Sequence, residues 1–374
     1  MEELVRIPVV IYRGGTSKAI FLRENVIPSD PELRDRLICA LFGSPDKRQI
    51  DGLGGADPLT SKLAIIGPPS RPDADVDYTI GQVDILTRSI DYSAVCGNIS
   101  AAVGPYAIDE GFVRPEEPRT KVRIHCANVH RMIEACVPVE NKRVKVYGDY
   151  AIDGVPGTGA QIELNWADMV GANTGSLLPT GNAKDTLEIP GFGPITVSIV
   201  DVGNPGVFVR ADALGLRGTE TPEEVDPNTK LLELCDAIAE EAGKRIGRFT
   251  LLTFVAPPSN YSSHVTGQMI RAEEADLLVR MIFMGKMHKT FAVSQINCCG
   301  AAALIPRTLV NEAASGTFRT KGTVRMGHPA GIAELEATLE NREGKLLFSR
   351  IAAYRTARRL MEGYAFVRRD AFER

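Results

Sequence analysis

The sequence lacks most of the features that would assign a function quickly. It has 7 cysteines but no Cys-x-x-Cys pair, and its 5 histidines (His125, His130, His264, His288 and His328) are scattered singly. Zinc sites draw on paired ligands, and His125-Cys126 with His130 has no second pair, so no metal is expected. An odd cysteine count without a framework fits a reduced, cytoplasmic protein. A basic excess is also missing. Lys and Arg total 43 against 47 Asp and Glu, a net charge of −4, so there is no footprint for nucleic acid. An anionic ligand must then be held by local groups.

No apolar run reaches the ~18 residues of a membrane span. The longest, Phe291–Val310, is broken by Ser294, Gln295, Asn297 and Arg307. The start, MEELVRIPVV, has neither a basic region nor an apolar segment of the kind that makes a signal peptide. No Walker loop or dinucleotide fingerprint follows a strand, so no nucleotide cofactor is expected.

What is present is a globular composition: 374 residues, 44% hydrophobic, with 35 Gly and 23 Pro. That length predicts two domains. Short β-branched segments bounded by Gly or Pro predict strands at Ile7–Tyr12, Val76–Thr79, Val83–Leu86, Lys121–His125, Val144–Tyr147, Ile162–Leu164, Ile195–Val200 and Val207–Arg210. Helical patterns cover Pro31–Leu41, Ile99–Glu110, Thr229–Ala242, Glu273–Met284 and Ala301–Ala313. The class is α+β, rich in antiparallel sheet. A weak repeat links Cys96-Gly97-Asn98, entering a helix after Ile90–Val95, with Cys298-Cys299-Gly300, entering one after Thr290–Ile296. The Gly-, Asn- and Pro-rich stretch Pro179–Pro194 marks the boundary, giving domains 1–185 and 186–374.

Two glycine-rich loops end alike. Arg13-Gly14-Gly15-Thr16-Ser17-Lys18 follows the first strand, and Asp51-Gly52-Leu53-Gly54-Gly55-Ala56-Asp57 runs through Pro58-Leu59 into Thr60-Ser61-Lys62. Adjacent glycines let backbone N–H groups turn toward an anion, with hydroxyls from Thr16, Ser17 and Ser61 beside them; the plainer reading is two ordinary turns. Lys62 enters the apolar run Leu63–Ile66, where burial would favour a basic amine, although most such lysines snorkel to the surface. Cys96 at a helix start lies in the positive end of the dipole, and the N–H groups of Gly97 and Asn98 can receive a carboxylate or enolate oxygen. A free cysteine is as often a small buried hydrophobe. Asn204, before Pro205, and His328, before Pro329, are polar side chains in proline-fixed loops.

Taken in order along positions 12 to 361, these segments resemble the PrpF / methylitaconate Δ-isomerase family, which is related in fold to diaminopimelate epimerase and proline racemase. The matching stretches are Tyr12 to Lys18, Gln49 to Asp57 through Lys62, Cys96-Gly97-Asn98, Gly203-Asn204-Pro205, Met284 to His288, Arg325 to Pro329 and Thr356 to Met361. The resemblance implies two similar domains, each a curved, mostly antiparallel sheet around a central helix, with the active site in the cleft between them. It implies a cofactor-independent isomerase acting on a small unsaturated di- or tricarboxylic acid such as methylitaconate or 2-methylaconitate. Lys62 and Cys96 fall on the family's catalytic lysine and cysteine, and Ser17 falls in its substrate-facing loop. Thr16, Ser61, Gly97, Asn98, Asn204 and His328 complete the expected substrate contacts.

Alternatives within this frame are a 4-oxalomesaconate-type keto-enol tautomerase, or a racemase pairing Cys96 with Cys298 or Cys299. A polycarboxylate-binding accessory protein of an aconitase-like dehydratase is a further alternative. No nucleic-acid or membrane partner is expected, and self-association into a homo-oligomer is left open.

Overall fold

The computed structural model describes residues 3–93, 95–316, 318, 322–342 and 345–371. The chain forms two compact units. Unit 1 is Met1–Ala151, Gly157–Leu164 and Arg355–Arg374; unit 2 is Ile152–Pro156 and Asn165–Tyr354. The division therefore differs from the 1–185 and 186–374 read from the sequence. The reason is a strand pairing that composition cannot reveal: Ala357–Arg368 lies antiparallel along the first strand, from Leu4↔Arg368 to Gly14↔Ala357.

Unit 1 contains β1 (Leu4–Gly14), β2 (Ser17–Arg23), α1 (Pro31–Phe42), β3 (Lys62–Gly67) and β4 (Val76–Val83). It continues with β5 (Ile90–Asp91), α2 (Gly97–Asp109), β6 (Arg119–Cys126) and β7 (Arg131–Glu140). Period-2 alternation gives the sheet two apolar faces. On one, Ile7, Val9, Ile20, Leu22, Leu63, Ile65 and Val83 pack against Leu37, Ile38, Leu41 and Phe42 of α1. On the other lies α2, buried at every position from Gly97 to Ile108. A helix apolar all round must be enclosed. Its small residues allow that: a Cβ on Gly104 would stand 2.7 Å from Val137 of β7, and one on Gly14 of β1 would stand 2.3 Å from the Asn98 carbonyl oxygen. Tyr12, Phe21 and Tyr106 fill the space between, with ring centroids 5.1 to 6.2 Å apart.

Unit 2 repeats this plan. In unit 1 the pairings from Ala357–Arg368 through β1, β2, β3, β4 and β6 to β7 run antiparallel, antiparallel, parallel, antiparallel, parallel, antiparallel. The strands Asp185–Ile189, Gly193–Val200, Gly206–Arg210, Leu251–Ala256, Leu277–Phe283, Thr323–His328 and Gly331–Arg342 follow the same series. The helices fall in the same intervals: Thr229–Ile246 where α1 stands, and Val293–Leu304 where α2 stands. Leu231, Cys235, Ile238 and Ala242 of the first pack on Val207, Val209, Leu252, Phe254, Leu278 and Ile282. The second is buried along its length against Thr323–His328 and Gly331–Arg342.

Some expected elements are corrected. Glu273–Met284 is a strand over Leu277–Phe283, because an unbroken buried apolar run fits either period. The expected helix Ala301–Ala313 is two helices, Val293–Leu304 and Leu309–Ala313, separated at Pro306. Val83–Leu86 is only the end of β4 and a turn. Cys298 and Cys299 thus lie in the second turn of their helix and not at its start. The repeat is real, but the position matching Cys96 is Ala292. Ala94, within the approach to Cys96, lies outside the described residues.

Candidate functional site

Cys96 is the N-cap residue of α2, and its side chain makes no capping hydrogen bond. Its carbonyl anchors the first turn instead, accepting from Ser100 N at 2.9 Å and Ser100 Oγ at 3.0 Å. The thiol is half-buried at the positive end of the helix. Burial first, and the neighbouring Cys96 next, hold the Tyr78 phenol on β4 well above its ordinary value. Cys96, as the cap of α2, lies on the α2 side of the sheet.

Lys62 opens β3 and is 8% exposed. Its Nζ donates to Gln82 Oε1 at 2.5 Å, and Gln82 is its register partner on β4. Gln82 is oriented in turn by donating to Pro58 O at 3.2 Å and Ser61 O at 3.0 Å. Gln82, Ile80 and Tyr78 alternate onto one face, whereas Gly81 and Val83 face the α1 side. Across the parallel pairing with β2, Lys62 is registered with Ala19. Ser17 is two residues from Ala19 on the same face, about 7 Å along the strand. Ser17 is 3% exposed, and its Oγ has no hydrogen-bond partner.

The loop Gly14-Gly15-Thr16 lies directly on the first turn of α2. Asn98 holds it with both ends of its amide: Oδ1 accepts from Thr16 N at 3.3 Å, and Nδ2 donates to Thr16 Oγ1 at 2.9 Å. A Cβ on Gly15, where φ is +49°, would stand 2.1 Å from Asn98 Oδ1, and Gly15 N donates to Thr356 O at 2.9 Å. The glycines are thus required by the approach of α2, and the loop amides are already bonded. The second loop is built the same way. A Cβ on Gly52 would stand 2.1 Å from Gly43 N, and one on Gly54 2.2 Å from Gln49 Oε1. Gln49, 1% exposed, donates to Ser44 Oγ at 3.1 Å and Ser61 Oγ at 2.9 Å while accepting from Ala56 N at 2.8 Å. Ser61 is fully buried and donates to Val83 O at 2.9 Å, so its hydroxyl secures the loop that carries Lys62.

The structure therefore gathers Ser17, Thr16, Lys62, Cys96, Gly97 and Asn98 on the α2 face of the unit 1 sheet. It adds two residues that the sequence reading missed, Gln82 and Arg355, while Gln49 holds the second loop behind Lys62. Arg355 is 5% exposed and its Nε donates to Asn98 Oδ1 at 3.2 Å. Only the strand pairing of the C-terminal segment brings it here. Two cavities of unit 1, about 450 and 550 Å³, are lined by other residues, including Glu110 with Arg359 in one and Cys39 with Arg368 in the other.

In unit 2, Asn204 precedes the strand Gly206–Arg210 and His328 ends Thr323–His328, so strand direction sets both at the same end of that sheet. Asn204 O accepts from Gln295 Nε2 at 3.3 Å. His328 Nδ1 accepts from Ala330 N at 3.2 Å, which places the proton of the neutral ring on Nε2. Its turn is fixed by Tyr261 OH on Gly331 O at 2.5 Å and Ser263 Oγ on Ala330 O at 2.7 Å. Cys298 ties down the Asn204 loop: Sγ accepts from Val202 N at 3.1 Å and donates to Asn204 O at 3.1 Å. Burial pushes both the Cys298 and Cys299 thiols far up. Among the described residues, no three His, Cys, Asp or Glu side chains group as a metal set, and no helix is long and apolar enough to cross a membrane.

Residues 4–368 match the family described as PrpF protein. The chain belongs to the PrpF family. It is 48% identical to a 3-methylitaconate isomerase from Eubacterium barkeri, over 98% of each chain. A crystal structure of methylitaconate-delta-isomerase, 47% identical, superposes with a TM-score of 0.83, covering 99% of this chain and 98% of that one. A hydroxyproline epimerase from Agrobacterium vitis, 11% identical, shares the fold, with a TM-score of 0.62 over 98% of this PrpF-family chain and 94% of its own. The protein is an enzyme of the isomerase class.

Proposed function

We propose that this PrpF-family isomerase catalyses an allylic 1,3-proton shift on a small unsaturated di- or tricarboxylic acid such as methylitaconate or 2-methylaconitate. One of Lys62 and Cys96 removes a proton from the carbon conjugated to a carboxylate, and the other returns a proton at the far end of the allyl system. The electron pair of the broken C–H bond becomes the new C=C bond, and the old double bond takes up the returned proton. No external oxidant or reductant is needed. The dienolate formed between the two transfers carries its charge on a carboxylate oxygen. Donors aimed at that oxygen from the Gly97 and Asn98 amides and the Ser17 hydroxyl accelerate the reaction to the extent that they bind it more strongly than the substrate. Asn204 and His328, polar side chains at one end of the unit 2 sheet, are assigned to a second carboxylate.

One observation supports this reading above the rest: the β2–β3 register and the docking of α2 on Gly14 and Gly15 bring an amine, a thiol and a buried hydroxyl to one end of one helix. The internal repeat argues against a two-thiol racemase. Where unit 1 has Lys62 at the start of its parallel strand and Cys96 at its helix cap, unit 2 has Leu251 and Ala292. Its nearest thiols are buried within the helix. The chemistry is therefore one-sided. The reading is tested by following proton loss and appearance of the migrated double bond in deuterated water with methylitaconate and 2-methylaconitate. Incorporation of deuterium at a single stereocentre without double-bond migration would favour the racemase.

A further inference from the structure

The net charge of −4 leaves the chain no global field to attract a polyanion, and the candidate contacts Ser17, Gly97 and Asn98 are uncharged. A cation does stand among them. Arg355 comes from the far end of the chain, where it ends the strand Lys345–Arg355 two residues before the strand that pairs with β1. Its Nε donates to Asn98 Oδ1 at 3.2 Å, and a Cβ on Gly15 would stand 3.1 Å from its Cδ. The residue is 5% exposed. Burial brings its pKa down to about 10, which leaves it charged at neutral pH.

Its neighbour is the N-terminus of α2, which is itself positive and has no acidic residue in its first turn. The guanidinium and the helix end add their fields at one place, an arrangement that selects an anion. The buried Ser17 hydroxyl is a second, independent sign of a ligand there. It alternates with Ala19 and Phe21 onto the α2 face and has no hydrogen-bond partner. Its register partner Gly14 touches Asn98.

We infer that Arg355 supplies the positive charge of a carboxylate subsite in unit 1, formed with the α2 N-terminus and the Ser17 hydroxyl. It acts through its field on the bound carboxylate, and it helps Thr16 hold the Asn98 side chain at the start of α2. This rests on the proposed activity only for the identity of the ligand as an unsaturated polycarboxylate. The subsite discriminates for charge: an acid is retained, and its neutral analogue is not.

The test compares the full-length enzyme with Arg355→Met, Arg355→Lys and Ser17→Ala, using methylitaconate and its two monoamides as ligands. Affinity is measured by calorimetry and turnover by proton exchange. Arg355→Met should weaken methylitaconate about 30-fold in affinity and in KM, with kcat changed far less, and Arg355→Lys should restore much of the loss. The monoamide lacking the anchored carboxylate should bind wild type and Arg355→Met within about 3-fold of each other. Equal losses for the diacid and both monoamides, or no loss at all, would overturn the inference. If melting shows that Arg355→Met does not fold, Ser17→Ala carries the comparison: it should cost about 10-fold in affinity for the diacid, and unchanged affinity overturns the subsite. Binding of methylitaconate by wild type without any proton exchange would sink the proposed activity while leaving the subsite readable from affinity.

Discussion

Lys62 and Gln82 face each other across the β3–β4 ladder, with Nζ donating to Oε1 at 2.5 Å. The amide holds the amine on the α2 side of the sheet, where Ser17 and Cys96 also lie. Gln82 has little other work, since its Nε2 bonds only the loop carbonyls of Pro58 and Ser61. Gln82→Leu should leave the melting temperature within a few degrees and lower kcat on the order of 10- to 100-fold, because a misplaced proton-transfer group loses most of its advantage. Steady-state kinetics beside thermal melting checks this. Wild-type kcat in Gln82→Leu would mean that Lys62 needs no such support.

The thiols separate by environment. Burial raises Cys39 to about 11 and Cys126 and Cys235 to about 12, and pushes Cys298 and Cys299 far up as well. Cys96 and Cys136 are the two that are partly exposed. Iodoacetamide at pH 8 should therefore modify Cys96 and Cys136, and substrate should protect Cys96 alone. Peptide mapping by mass spectrometry reads the outcome. Labelling of Cys298 or Cys299 that abolishes turnover would revive a second catalytic thiol.

Cys298 has a structural task, bonding the backbone on both sides of Gly203. Cys298→Ala should leave proton exchange close to wild type and lower stability by about 1 to 2 kcal/mol, the range for a lost buried hydrogen bond and a small cavity. Denaturant unfolding with parallel kinetics measures both. A loss of turnover without loss of stability would contradict this assignment.

Gly15 is held at φ +49° against Asn98, and Gly14 against its carbonyl. Gly14→Ala should destabilise unit 1 by about 3 kcal/mol, as overpacking of a close backbone contact does. Gly175→Ala, where an added Cβ meets nothing within 4 Å, carries only the strain of its φ of +83° and should cost less. Calorimetric melting of the two variants ranks them. The reverse order would show that these glycines serve a ligand and not the helix.

Much of this was legible in the chain. The α+β class, the helices at Pro31, Ile99 and Thr229, and the helix start after Cys96 follow from apolar period and turn residues. The motifs gave the family. What was hidden depends on pairings between distant segments. Nothing near Arg355 in sequence says that it lies beside Asn98, and nothing near Gln82 says that it faces Lys62. The Gly-Gly loops invited a ligand reading because a local pattern shows that backbone must approach something closely, but not what; here it is α2 for Gly14 and Gly15, and Gly43, Gln49 and Thr60 for the second loop. Cys298-Cys299-Gly300 resembled a helix start because the real one, at Ala292, has no capping side chain.

In the proposed reaction one amine and one thiol of unit 1 divide the work: one takes a proton from the allyl system and the other gives one back at its far end. Its most direct measurement is ¹H NMR of methylitaconate in deuterated water with wild type, Lys62→Ala and Cys96→Ser. Wild type should exchange allylic protons and migrate the double bond, whereas each variant should fold normally and lose turnover by at least about 10³-fold. Migration at near wild-type rate in either variant would contradict the account.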